Sequence, residues 1–274
     1  MTSNAVQRSD RPEPASSDAG GRSRWWQRFW PPVASVGVAI TLWWAATSAL
    51  CTPQSLLRQT APQHVLAALG DLLGRGVLVP DTAVSLYRLV IGLLIAALVG
   101  IPAGLLIGLS RTAERAASPL VAFLRMISPL SWTPITVAVF GIGSQPVIFL
   151  IAAAAVWPVL LGTVAGVHAI DPGYLHVAQS LHASRFEQLT AVVLPGVRVQ
   201  VQNGLRLALG IAWVVLVPAE MLGVRSGLGY QILNARDQLD YASVVAVIAV
   251  IGVLGYLLDL AARLLLAPRR ATAG

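Results

Sequence analysis

Lysine is missing from this 274-residue sequence, so all 19 of its basic residues are arginine. A GxxxxGK[ST] loop needs a lysine to meet the β- and γ-phosphates of a nucleotide, so nucleotide hydrolysis by this chain is excluded. Cysteine is nearly as scarce: Cys51 stands alone, which excludes an intrachain disulfide framework and a cysteine-rich metal site. The four histidines, His64, His168, His176 and His182, include no pair four residues apart. That spacing would set two imidazoles on one helix face, so a zinc-protease type of site is excluded. Charge of either sign is also thin, at 11% of residues against about a quarter in a soluble domain. A net charge of +7 would suit nucleic acid, but the arginines stand between apolar runs instead of forming one basic stripe, so no nucleic acid partner is expected.

Apolar side chains fill the sequence instead, 56% of it, with a mean hydropathy of +0.71. A soluble interior cannot absorb so many, and the runs are long enough to cross a bilayer, which takes about 20 residues per helix. Residues 33–50, 85–109, 118–141, 147–167, 201–222 and 242–266 are the candidates. The expected fold is an all-α integral membrane protein with six transmembrane helices. Residues 1–31 read as a disordered polar tail with a basic, aromatic flank (Arg22, Arg24, Arg28, Trp25, Trp26, Trp30), and 32–51 as the first transmembrane helix. Residues 52–83 read as an extracytoplasmic loop, 84–266 as a five-helix core that includes a loop over 168–198, and 267–274 as a cytoplasmic tail.

Orientation follows from the arginines. With both termini inside, the cytoplasmic segments carry Arg8, Arg11, Arg22, Arg24, Arg28, Arg111, Arg115, Arg185, Arg198, Arg263, Arg269 and Arg270, and the outer ones only Arg58, Arg75, Arg225 and Arg236. A multi-pass location in the cell's inner membrane is the expectation. In the outer loop His64, Val65, Leu66, Leu69, Leu72 and Leu73 are spaced like one side of a short interfacial helix. Either it caps the bundle or it touches an extracytoplasmic partner.

The inner loop over 168–198 carries more information. Asp171-Pro172 is a helix start, and Tyr174, Leu175, Ala178, Leu181 and His182 recur at helical spacing after it. Ala183-Ser184 gives a turn, and Phe186, Leu189, Val192 and Val193 repeat the pattern up to Pro195-Gly196. Two short amphipathic helices in the cytoplasm need a cover for their apolar side, either the chain's own membrane domain or a partner protein.

The run from His176 through Gln179, His182 and Phe186 to Leu194-Pro195-Gly196 resembles the EAA loop of binding-protein-dependent ABC transporter permeases. Further motifs resemble the nitrate, sulfonate, taurine and bicarbonate branch of that family: Pro129-Leu-Ser-Trp132-Thr-Pro134, Phe140-Gly-Ile-Gly143, Gly204-Leu-Arg206, Gly210-Ile-Ala-Trp213, Ala219-Glu220-Met221 and Ser226-Gly227-Leu-Gly229-Tyr230. The resemblance covers residues 85–266. The sequence departs from the motif at His176 (usually Glu), Gln179 (a small residue) and His182 (the Gly of the turn), and Ser144 replaces a usual acidic residue.

The resemblance implies a type I ABC importer permease that is not itself an enzyme and binds no cofactor, with ATP and Mg held by a partner ATPase. Its coupling helix would dock on the cytoplasmic ATP-binding subunit through Tyr174, Leu175, Ala178, Gln179, Leu181, His182, Ala183, Ser184 and Phe186. The implied assembly is a homodimer of permeases with two cytoplasmic ATP-binding subunits, an extracytoplasmic substrate-binding protein and surrounding membrane lipid. The implied cargo is a small anionic solute such as nitrate, a sulfonate, taurine or bicarbonate; a thiamine-precursor pyrimidine is the alternative. An ATP-independent secondary transporter would leave the EAA-like loop unexplained, and no internal repeat is evident.

Candidate residues of the translocation path are Arg125, Pro129, Trp132, Pro134, Arg206, Trp213 and Glu220. Charges inside apolar spans are costly and face protein or a path. Arg88, near one membrane surface, reads as a snorkelling side chain, Arg125 and Arg206 as partners of headgroups, of Glu220 or of an anion in transit, and Asp259 as an ion-pair member. Gly100, Gly104 and Gly108 give two GxxxG spacings, a close-packing face that is internal or shared with a second copy.

Overall fold

The computed structural model describes residues 21–49 and 56–265, with side chains from 34 to 48 and from 58 onward. Most of the polar tail, the side chains of Trp25, Trp26 and Trp30, Cys51 and the 267–274 tail lie outside the described residues. All elements among the described residues are helical. The described residues up to Pro62 form one unit, with helix α1 (Gly21–Ala49) and a 3₁₀ turn over Leu56–Thr60. The second unit is the bundle.

In the bundle α2 (Pro62–Gly74) buries Val65, Ala68 and Leu72 and leaves Leu66 and Leu73 exposed, so its inward stripe is narrower than the sequence pattern suggests. Then α3 (Leu78–Leu109) runs the full thickness of a bilayer. Helix α4 (Arg111–Leu124) follows with Ser110 as its N-cap, accepting from the Ala113 amide. A 3₁₀ turn over Pro129–Trp132 and α5 (Thr133–Phe140) lead to α6 (Ser144–His168). The short α7 (Pro172–Ser180) and α8 (Arg185–Gln188) precede a π-helical turn, Leu189–Val193, that runs into α9 (Leu194–Gly223). Helices α10 (Leu228–Asp237) and α11 (Tyr241–Leu265) close the bundle.

The expectation of six transmembrane helices is corrected. Four helices among the described residues are long and apolar enough to cross a membrane: Leu78–Leu109, Ser144–His168, Arg185–Gly223 and Tyr241–Leu265. The segment over 118–141 is no straight span, because α4 and the 129–140 stretch are bent by 79°, so counting that pair as one gives five. The break has a local cause: Ser128, ahead of Pro129, is forced out of the helical region to ψ 127°. In α1 the apolar stretch among the residues with described side chains is Ala34–Ser48, which is not counted among the four.

The core forms because small residues let three helices close up. Gly92, Ala96, Gly100, Gly104 and Gly108 recur every fourth residue on α3, and a Cβ at Gly100, Gly104 or Gly108 would lie 2.6–3.0 Å from Cβ of Val159, Thr163 or Val167 on α6. The GxxxG face is therefore internal, with α3 and α6 parallel in constant register. On its other side α6 meets α9 in antiparallel fashion: a Cβ at Gly204 would stand 2.8 Å from the Pro158 carbonyl oxygen, and one at Gly166 3.0 Å from Val197 Cβ. Leu89, Leu150, Ile151, Val159, Ala212 and Leu216 fill the space between.

Candidate functional site

The inner loop is built by caps. The Asp171 carboxylate accepts from the Gly173 amide at 2.8 Å, and Pro172 takes the first helical position of α7, where it forfeits no bond. The helix stops in a Schellman turn: the Ala183 amide donates to the Ala178 carbonyl at 3.0 Å and the His182 amide to that of Gln179 at 2.9 Å. His182 itself sits at φ +58°, the left-handed region that glycine favours, so the departure at the family's glycine leaves the turn geometry in place. A capping box then opens α8: the Glu187 carboxylate accepts from the Ser184 amide at 2.7 Å, and the Ser184 hydroxyl accepts from the Glu187 amide at 3.3 Å.

These caps fix which apolar side chains face out. Tyr174, Val177, Leu181 and Phe186 are exposed, with Leu181 at 76%, while Leu175, Ala178 and Ala183 are half-buried. The sequence pattern had merged the two sides, and it omitted Val177, whose place three residues after Tyr174 and four before Leu181 gave the signal. Gln179, His182 and Ser184 lie exposed around the turn.

A cleft of about 670 Å³ opens between the bent segment, α6 and α9. Arg125, Met126, Ile127 and Pro129 line it from the break, Trp157, Pro158 and Leu161 from α6, and Gln200, Asn203, Leu207 and Ile211 from α9. Arg125 is its one charged lining residue, and its guanidinium has no hydrogen-bond or ion-pair partner among the described residues. Trp132 lines a smaller hollow next to it, sharing Ile127, Pro129 and Trp157, and Pro134 is exposed in the first turn of α5.

The other residues expected along a path stand elsewhere. Trp213 packs against α11 where Gly255 has no side chain, its Nε1 being 2.5 Å from where a Cβ would be. The Arg206 guanidinium donates to Asp259 Oδ1 at 3.1 Å, and Arg263 to Oδ2 at 2.8 Å. Glu220 is fully buried and pairs with Arg88, not with Arg125 or Arg206.

That pair centres a polar network the sequence reading did not foresee. Arg88, 2% exposed, is no snorkelling side chain. Its Nη1 donates to Glu220 Oε1 at 2.7 Å and to the Ser226 carbonyl at 2.8 Å, its Nη2 to Ser226 Oγ at 2.8 Å, and its Nε to Ser144 Oγ at 3.0 Å. Glu220 also accepts from the Ser85 hydroxyl at 2.9 Å and the Gly229 amide at 3.0 Å. Beside it Asp81 accepts from the Gly227 amide at 2.7 Å and from the Gln231 side-chain amide at 2.5 Å. Gly227, at φ +103°, has to be glycine, because a Cβ there would overlap the Glu220 carboxylate. A buried ion pair is tolerated when its remaining donors and acceptors are satisfied in this way. Among the described residues no group of three or more His, Cys, Asp or Glu could hold a metal ion.

Residues 100–270 match the family described as binding-protein-dependent transport system inner membrane component. The chain is 37% identical over 239 residues to the taurine transport system permease protein TauC of Escherichia coli (strain K12), covering 85% of this chain and 86% of that protein. It is 35% identical over 256 residues to the bicarbonate transport system permease protein CmpB of Synechococcus elongatus, covering 89% and 91%. Its fold superposes on a chain of the MetNI methionine ABC transporter in an inward-facing conformation with a TM-score of 0.61, at 20% identity, over 69% of this chain and 94% of that one. The chain belongs to the binding-protein-dependent transport system inner membrane component family. It is the permease component of an ABC importer, a multi-pass transport subunit and not an enzyme, as the EAA-like run implied.

Proposed function

We propose that this permease carries a small anionic solute, of the class of nitrate, a sulfonate, taurine or bicarbonate, along the cleft between the bent segment, α6 and α9. The observation that carries the reading is Arg125, the one charged residue lining a cleft that is otherwise apolar or amide-bearing. An unpaired cation beside a membrane-embedded path attracts an anion and repels a cation. The Gln200 and Asn203 amides, three residues apart on α9, supply further donors. Pro129, Trp132 and Pro134 shape the broken segment; irregular backbone at membrane depth is tolerated where it lines a cavity. The similarity to taurine and bicarbonate permeases supports the same class.

Force enters through the loop over 168–198. Tyr174, Val177, Leu181 and Phe186 dock on a cytoplasmic ATP-binding subunit, and Leu175, Ala178, Gln179, His182, Ala183 and Ser184 hold them in place. Two permease copies, two such ATPases that bind ATP and Mg, and an extracytoplasmic substrate-binding protein complete the assembly. The bundle end bearing Arg111, Arg115, Arg185, Arg198 and Arg263 faces the cytoplasm of a cell with this chain in its inner membrane.

Reconstituted uptake with the cognate ATPase and binding protein tests this. Leu181→Asp together with Val177→Asp should abolish ATPase stimulation while the permease stays folded. Arg125→Gln should lower anion uptake at least tenfold with ATPase binding intact. Full uptake by Arg125→Gln removes the anion path; full stimulation by the loop variant removes the coupling surface.

A further inference from the structure

The geometry points to a binding site for an anionic phospholipid headgroup where α9 meets α11, formed by Arg206 and Arg263 around Asp259. Which leaflet supplies the lipid rests on the proposed orientation; the site itself does not.

Asp259 holds two guanidiniums at once. Arg206 engages Oδ1 through Nε and Nη2, and Arg263 engages Oδ2 through the same pair of nitrogens. Two arginines against one aspartate leave a net charge of +1. The Nη1 groups of both arginines have no acceptor among the described residues, and all three side chains are 41–59% exposed. At a rise of about 1.5 Å per residue, Asp259 lies roughly 27 Å along α11 and Arg263 about 6 Å further. Arg263 thus stands in the last turn of α11, toward the bundle end that carries Arg111, Arg115, Arg185 and Arg198, and Arg206, about three turns into α9, reaches the same carboxylate. A surplus cation there is costly unless a counter-charge meets it.

The surrounding surface says that the counter-charge has a tail. Val253, Tyr256, Leu260 and Leu264 form an exposed apolar stripe on α11, leading along the helix to the charged cluster. A free phosphate would use the guanidiniums and leave the stripe unused, whereas a phospholipid uses both. Basic pockets between transmembrane helices at the cytoplasmic side are suited to such headgroups.

Native mass spectrometry of the full-length protein in mixed micelles, with phosphatidylglycerol, phosphatidylcholine and inorganic phosphate as probes, tests the site. The protein should retain phosphatidylglycerol in preference to phosphatidylcholine. Arg206→Gln and Arg263→Gln should each weaken that retention about fivefold, the worth of one basic side chain near an anionic lipid. Asp259→Asn, which raises the cluster from +1 to +2, should strengthen it, whereas a purely structural triad would lose retention and stability together. If that variant does not fold, Arg263→Gln, in the half-exposed last turn, still decides, with Arg236→Gln as the control at the other end of the bundle. Equal retention of the two lipids, no response to either arginine substitution, or displacement of the lipid by millimolar inorganic phosphate overturns the proposal. In micelles the lipid reaches the cluster whichever way the chain is inserted, so a reversed orientation would leave these results unchanged.

Discussion

Arg88 and Glu220 lie 132 residues apart in sequence and meet at 2.7 Å, at 2% and 0% exposure. The pair joins α3 to the end of α9, and through Ser144 and Ser226 it also holds the start of α6 and the turn before α10. Removing one partner strands the other charge. Glu220→Ala or Arg88→Ala should each cost about 3–5 kcal/mol, read as a loss of thermal stability in detergent, while a double replacement by apolar residues of similar volume should cost less than either. Additive single losses would show that the two do not act as a pair.

The left-handed backbone at His182 is strained for any side chain. Returning the family's residue, His182→Gly, should stabilise the turn by about 1 kcal/mol. His182→Val, with a branched Cβ, should lower it. Melting temperature ranks the three, and ATPase stimulation should follow the same order.

Val177 and Leu175 are near neighbours on α7 with opposite surroundings: Val177 is 60% exposed and Leu175 is half-buried. Val177→Ala should leave the melting temperature unchanged and weaken ATPase stimulation. Leu175→Ala should lower the melting temperature first, by the worth of one or two methylenes, about 1 kcal/mol.

Gly204 and Gly252 make a steric pair of controls. A Cβ at Gly204 would stand 2.8 Å from the Pro158 carbonyl oxygen, whereas one at Gly252 would meet nothing within 4 Å. Gly204→Ala should destabilise by about 1–3 kcal/mol through overpacking. Gly252→Ala should be neutral or gain up to about 1 kcal/mol of helix propensity. Equal effects would mean that α6 and α9 are not in close contact.

Local chemistry was legible before the fold. Asp171-Pro172 marks the start of α7 and Ala183-Ser184 the turn, because caps, prolines and short apolar repeats act within a few residues. The glycines of α3 could be read as a close-packing face, but their partner, α6, is 59 residues away and no local signal names it. The network around Glu220 was illegible for the same reason: Ser85, Arg88, Ser144 and Ser226 are brought together only by the parallel packing of α3 and α6 and the return of α9. In retrospect Ser144 had a meaning. It accepts from Arg88 where relatives of this branch were expected to carry an acid, and Glu220 already supplies the charge. Of the six expected spans, the one over 118–141 is bent by 79°, which hydropathy does not register.

That bend also bears on how the chain enters the membrane. Helix α4 has 14 residues, with Arg111, Glu114 and Arg115 in its first two turns, and α5 has eight. Neither piece alone presents the 18 or so apolar residues by which a membrane-inserting machine recognises a span. Only taken together do the two pieces pass as one apolar span. Its insertion should therefore be a joint event of α4 and the 129–140 stretch, and a stop placed between Leu124 and Pro129 should leave α4 on the side of the membrane where it was synthesised.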